Sequence, residues 1–445
     1  MKIGSGLPHI LRRIILLIGL GAGFLLTAGC GGGGGGQGGT GPILSTCPNQ
    51  TTNASVSGPN TLPVWLGVTG NNSSSVCGAY INVPCTDVTI CTSSGSDCQT
   101  VTNMLVDTGS SGVRVFKTVL SQALYSSISS SPITVGGQPV GECARFGNGS
   151  YGDWGPLVFA QVTLGGEPPV TPLPIQIIDP TYAGQYTSSG SPNTPNPSCG
   201  SSFVPDTSPS QAGFNGILGV GLGVHWCGST CITSASSEYY YTCSSTTCSS
   251  TTLSESDQDQ NPVASLPNGD DNGVVLSLSC PAAAGSAQLT GTLIIGIGTE
   301  SNNTPGTGVT AYPTTGSPDF VFDTTFQGTT YTPLTYPNLA YLDSGSPAYF
   351  FTDTGIPFCS SPNSSTYCPA SPLFLTAQVA GHDRFPSATI DFSVAAPSFS
   401  ESVYGNIGIQ GNGFDWGLPF FFGREVYVGI NGKSSLLGNG PYWAF

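Results

Sequence analysis

The chain has 445 residues, of which only 7% are charged, with 9 basic against 24 acidic groups and a formal net charge of −15. So acidic a balance leaves no basic surface to neutralise phosphates and excludes nucleic acid as a partner. The length exceeds one small domain and suits two lobes with insertions, while 63 Gly, 36 Pro and apolar residues in short runs point to an all-β chain of strands and turns. The first thirty residues read as an export signal: basic Lys2, Arg12 and Arg13, an apolar run from Ile14 to Leu26, then small residues up to Cys30. That run is too short for a stable bilayer span.

Leu26-Thr27-Ala28-Gly29-Cys30 resembles a bacterial lipobox, which implies a diacylated Cys30 and removal of residues 1–29; the alternative is ordinary cleavage without lipid. Residues 30–61 then form a Gly-rich tether between anchor and folded body. The lipid reading places the protein outside the cytoplasm, on a periplasm-facing membrane or the cell surface. Setting Cys30 aside leaves an even number of the 15 cysteines, as disulfides in an oxidising compartment require. Cys91 with Cys98, Cys227 with Cys231, Cys243 with Cys248 and Cys359 with Cys368 are close enough to close local loops. A zinc site on His225, Cys227 and Cys231 is the weaker use of two of these, because the spacing is loose.

The fold begins near Leu62, and β-branched and aromatic runs predict strands at Val64 to Val68, Ala79 to Val83, Met104 to Val106, Val113 to Phe116 and Leu157 to Leu164. The Ser-, Thr- and Cys-rich stretch from His225 to Pro262 reads as a surface insertion without chemistry. An internal repeat dominates the sequence. Met104-Leu105-Val106-Asp107-Thr108-Gly109-Ser110-Ser111 returns as Ala340-Tyr341-Leu342-Asp343-Ser344-Gly345-Ser346-Pro347. Either tetrapeptide alone is a weak signal in so Ser-rich a chain, but two copies after apolar strands imply two related lobes, at 62–300 and 301–445. Asp353-Thr354-Gly355 lacks both the strand and the fourth hydroxyl and reads as a turn.

Two carboxylates held together cannot both ionise comfortably, so Asp107 and Asp343 would share one proton, one acting as base toward a water and the other as acid. Gly109 and Gly345 permit a tight turn with amides facing the carboxylates, and the hydroxyls of Ser110 and Ser346 can bond their outer oxygens. The mechanism needs neither metal nor cofactor. With His225 and His382 the sole histidines after the signal and no Gly-x-Ser-x-Gly elbow, a Ser-His-Asp hydrolase is excluded.

On these motifs the chain resembles the pepsin-like aspartic proteases, and it also looks like a bacterial family of exported proteins of unassigned function. Gly213 to Gly221 is similar to the strand that threads under the first catalytic turn in pepsins, and Trp416 to Phe422 with Val426 to Ile430 to its counterpart. Gly291 to Gly296 resembles the strand leading to the second lobe, and Phe146-Gly147-Asn148-Gly149-Ser150 the tip of the flap over the substrate. The resemblance implies a bilobal β fold, a monomer, a peptide or protein substrate, and bonds across the lobes from Thr108 and Ser344. The flap Tyr and its Trp partner are replaced by Phe146 and Arg114, so Arg114 is expected to hold the Phe146 ring or to reach an acidic group of a ligand in the cleft. Trp154, Tyr151 and Phe420 to Phe422 read as core or flap packing in preference to carbohydrate platforms. Two functions stand: a membrane-tethered aspartic endopeptidase, or a silent peptide- or glycan-binding lipoprotein on the same scaffold.

Overall fold

The computed structural model describes residues 47, 56–67, 76–147, 151–184, 199–200, 203–316, 322–332 and 339–445. The expected export signal, Cys30 and Asn148-Gly149-Ser150 lie outside these residues. The chain is all-β: the described strands form one 17-stranded sheet, two four-stranded sheets and one two-stranded ribbon. None of the helices described is long and apolar enough to cross a membrane.

Four of the five predicted runs lie in strands, Thr61–Gly67, Cys98–Asp107, Ser111–Phe116 and Tyr151–Thr163. Their β-branched residues pack on the pleated surface, and Ser111–Phe116 is buried along its whole length, as a strand covered on both faces must be. The fifth, Ala79 to Val83, is not a strand. Val76–Ala79 is a 3-10 turn, Asn82 takes φ 54°, and the Cys77–Cys85 disulfide closes the loop. The Asn82 side chain instead donates to the carbonyls of Pro347 at 2.7 Å and Tyr404 at 2.8 Å, linking distant segments.

The large sheet joins strands from both ends of the sequence. Thr61–Gly67 runs antiparallel to Gln288–Ile295, which pairs with Gly273–Leu278; that strand pairs with Glu425–Gly429, and Tyr442–Ala444 adds next to it. One continuous core therefore runs from Leu62 through Val106, Val113 and Leu218 to Phe351, Phe414, Trp416 and Trp443. Trp416 meets Phe414 at 4.7 Å and Phe392 at 5.4 Å between ring centres, so truncating it would cost about 3–5 kcal/mol.

Seven disulfides pair every cysteine after Cys30. The four close pairs form as their spacing suggests, Cys91–Cys98 and Cys243–Cys248 each joining register partners of a hairpin. Because Cys227 is bonded to Cys231, neither sulfur is left as a thiolate ligand for zinc. Cys47, inside the expected tether, is pinned to Cys280.

The His225 to Pro262 stretch is more than a surface insertion. Its strand Tyr240–Cys243 pairs with Gln138–Phe146, and its Gln258, Asp259 and Asn261 have no exposed surface.

Candidate functional site

Each Asp motif sits in the same wiring. The strand Cys98–Asp107 ends at the first aspartate, the chain turns, and Ser111–Phe116 leaves antiparallel; Gly216–Val220 lies between them, parallel to the first and antiparallel to the second. In the second copy Ala340–Tyr341 leads into Asp343, Tyr349–Phe351 leaves, and Phe414–Asp415 lies between them in the same senses. The inserted strands must approach closely. A Cβ at Gly219 would lie 2.9 Å from the Ser110 hydroxyl and the Gly112 backbone, and one at Gly417, where φ is 51°, would lie 1.9 Å from the Ala348 carbonyl oxygen.

Within each turn the carboxylate is held from both sides. The Gly109 amide donates to Asp107 Oδ1 at 2.8 Å and the Ser110 hydroxyl to Oδ2 at 2.5 Å. The Gly345 amide donates to Asp343 Oδ1 at 2.7 Å and the Ser346 hydroxyl to Oδ2 at 2.7 Å. Across the two turns the bonds are reciprocal: the Thr108 amide donates to Ser344 Oγ at 3.0 Å, and the Ser344 amide to Thr108 Oγ1 at 2.9 Å. The Ser344 hydroxyl itself donates to the Val106 carbonyl at 2.7 Å. Thr108 and Ser344 are 1% and 0% exposed, so each bond is made away from water, where leaving a partner unmet costs most.

The result brings the two carboxyl groups face to face. A Cβ on Gly109 would lie 2.6 Å from the Asp343 carboxyl carbon, and one on Gly345 2.9 Å from Asp107 Oδ1, so only glycine fits either place. The Asp343 and Asp107 carboxyl groups are within hydrogen-bonding reach of each other. Asp343 is driven well above the ordinary carboxylate range by loss of solvent and then by the negative charges of Asp107 and Asp415. The pair is thereby arranged to hold one proton between two acids, chemistry that suits activation of a water.

Asp415 is the residue the sequence reading missed. Buried at 6% exposure, it accepts from the Gly417 amide at 2.9 Å, and its pKa is raised to about 7, chiefly by burial. One acidic residue between Phe414 and Trp416 was its only signal.

The hairpin of Gln138–Phe146 and Tyr151–Thr163 carries Phe146 at its end, paired in register with Tyr151. Phe146 is half-buried, its ring edge-on to Trp226 at 5.7 Å, and Gly147 takes φ 58° beneath the Tyr151 hydroxyl. Arg114 lies behind this hairpin. Its guanidinium is 5.8 Å from the Phe146 ring centre and 4.6 Å from that of Trp226, and it pairs with Asp259 at 2.9 Å and Glu142 at 3.9 Å. With 0% exposure it cannot reach a ligand in an open cleft, which corrects that expected use and leaves the contact with Phe146. Burial raises the pKa of Glu142 to about 7 and lifts Asp259 well above its usual range, although Arg114 opposes both shifts.

Asp353 accepts from the Gly355 amide at 2.8 Å, as a turn residue does. Trp154 is fully buried and donates to the Tyr182 carbonyl at 3.1 Å, and Phe420 to Phe422 are core.

Fold and site together define an all-β protein with a paired-carboxylate centre at the meeting of two similarly wired turns. It belongs to the family described as "Protein of unknown function (DUF3443)", whose profile matches residues 59–445. Comparison with curated proteins gives no match.

Proposed function

We propose that this protein is an endopeptidase of the aspartic type on a bilobal pepsin-like scaffold, hydrolysing peptide bonds with Asp107 and Asp343 and no cofactor. The observation that carries this reading is the reciprocal pair of bonds between Thr108 and Ser344, which sets the two carboxyl groups opposite each other. A pair of turn aspartates with no joint role has no use for that crossing. In the reaction one carboxylate takes a proton from a water between them, the water attacks the scissile carbonyl, and the other acid protonates the carbonyl oxygen. Collapse of the tetrahedral intermediate then returns a proton to the leaving amine. Phe146 gives apolar cover, and Arg114 stiffens it from behind.

The lipobox-like segment ending at Cys30 supports export and a lipid anchor, with a peptide or protein as substrate. Cys30→Ser is expected to move the protein from the membrane fraction to the soluble one, and mass spectrometry of an unlipidated native N-terminus would overturn the anchor. For the chemistry, a statine-type transition-state mimic should bind the wild type and protect it thermally, and Asp107→Asn or Asp343→Asn should abolish cleavage of a peptide library while the fold remains. Peptide binding without cleavage, equal in wild type and both variants, would leave the silent binding protein in its place.

A further inference from the structure

The two similarly wired halves of the site differ in charge at one buried position of the inserted strand. Beside Leu105 the inserted strand carries Ile217; beside Tyr341, at the matching register, it carries Asp415. A carboxylate in a strand that feeds an aromatic core costs stability unless its oxygens are bonded. Asp415 has two polar neighbours, the Gly417 amide at 2.9 Å and the Ser346 hydroxyl, and the same hydroxyl donates to Asp343 Oδ2 at 2.7 Å. Both neighbours are fixed by the backbone: the Leu418 amide donates to the Ser346 carbonyl at 2.7 Å, and Gly417 has no room for a side chain. The charged groups acting at this position are Asp107 from the first turn and Asp343 from the second, while Phe350 is the register partner from the strand on the other side. Among the described residues that act on either carboxyl there is no cation.

A hydroxyl has one proton to give. While Ser346 donates to Asp343, its oxygen can only accept from Asp415, so that contact is satisfied when Asp415 is protonated. Once Asp415 ionises, it competes for the Ser346 proton and adds a negative charge beside Asp343. Both changes favour a protonated Asp343.

We propose that Asp415 is a positioning residue that acts through Ser346, its ionisation turning the hydroxyl away from Asp343 and so keeping the shared proton on the dyad as the pH rises toward neutral. This inference rests on the aspartic-peptidase reading for its consequence in catalysis, but the coupling itself is measurable without activity. The raised pKa of Asp415, about 7 and chiefly from burial, puts its ionisation near neutral pH, above the ordinary carboxylate range.

The test is a carbon-13 carboxyl NMR titration of the full folded chain with labelled aspartates, Asp343 being assigned by the signal missing from Asp343→Asn. In Asp415→Asn the side-chain amide donates to Ser346 at every pH and no charge forms, so the Asp343 midpoint should fall by about one pH unit. Where cleavage is observed, the alkaline limb of the pH profile of kcat/KM should move by the same amount in the same direction. An Asp343 midpoint identical in wild type and Asp415→Asn overturns the proposal. Should that variant not fold, Ser346→Ala decides: loss of the shared donor should raise the midpoints of Asp343 and Asp415 together, and movement of Asp343 alone would overturn the relay. A wild type that neither cleaves nor binds the statine mimic, yet shows the coupled titration, would remove the peptidase reading and keep the coupling.

Discussion

Thr108 and Ser344 carry unequal loads although they mirror each other. Thr108 Oγ1 accepts the Ser344 amide, whereas Ser344 Oγ both accepts the Thr108 amide and donates to the Val106 carbonyl. Thr108→Val, nearly isosteric, leaves one buried amide unmet and should cost about 1–3 kcal/mol. Ser344→Ala leaves an amide and a carbonyl without partners and should cost more. Chemical denaturation with the disulfides intact reads both, and equal losses would show that the Val106 bond contributes nothing. The same residues explain what was legible in the sequence. Asp-Thr-Gly-Ser and Asp-Ser-Gly-Ser are local signals, because the turn needs Gly for its close approach and Ser for the outer oxygen, and these needs lie within four consecutive positions. Asp415 was not legible, since its bond from the Gly417 amide is an ordinary local one and its other partner, Ser346, comes from another turn.

At the scale of elements, the hairpin that ends in Phe146 is joined at its root to the strand after the first motif. Arg114 on that strand, Glu142 on the hairpin and Asp259 from the Ser- and Thr-rich stretch meet with no exposed surface, beside Asp153 and Tyr240. Asp259 also accepts the Val113 amide at 3.0 Å, and its carboxyl fills the space a side chain on Gly112 would need. Removing the guanidinium leaves buried acids without their cation, so Arg114→Leu should destabilise by about 3–5 kcal/mol. On the peptidase reading it should weaken binding of acidic and neutral peptides alike, and a loss confined to acidic peptides would return Arg114 to a ligand contact. Sequence reading paired Arg114 with the Phe146 ring but could not find its acidic partners. Pattern reading works on neighbours and periods, and a fully buried ion cluster assembled from segments far apart in the chain has neither.

For the whole molecule, the buried acids set the pH dependence of stability. Glu142, Asp259, Asp343 and Asp415 all have folded-state pKa values raised above their ordinary ones, foremost by burial. A carboxyl group with a raised folded value binds more protons folded than unfolded between the two, so stability falls as pH climbs from the unfolded value of about 4. For Glu142 and Asp415 that loss is complete above about 7. The melting temperature should therefore decline across this window, and Glu142→Gln should flatten the decline; a Tm constant from pH 4 to 8 would contradict the raised folded-state values. The all-β class and the local disulfides were readable from composition and spacing, whereas Cys47–Cys280 and the sheet that joins residues 61–67 to 442–444 through three intervening strands were not. Long-range pairing leaves no local mark. The crossed bonds at the two turns have one further consequence. Neither turn alone places two carboxyl groups together, so on the reading of an exported peptidase a chain still unfolded during export carries no active centre. On that same reading, catalysis would begin only once the late part of the polypeptide has docked on the early part, a form of latency that comes from assembly order and asks for no inhibitory segment to be cut away.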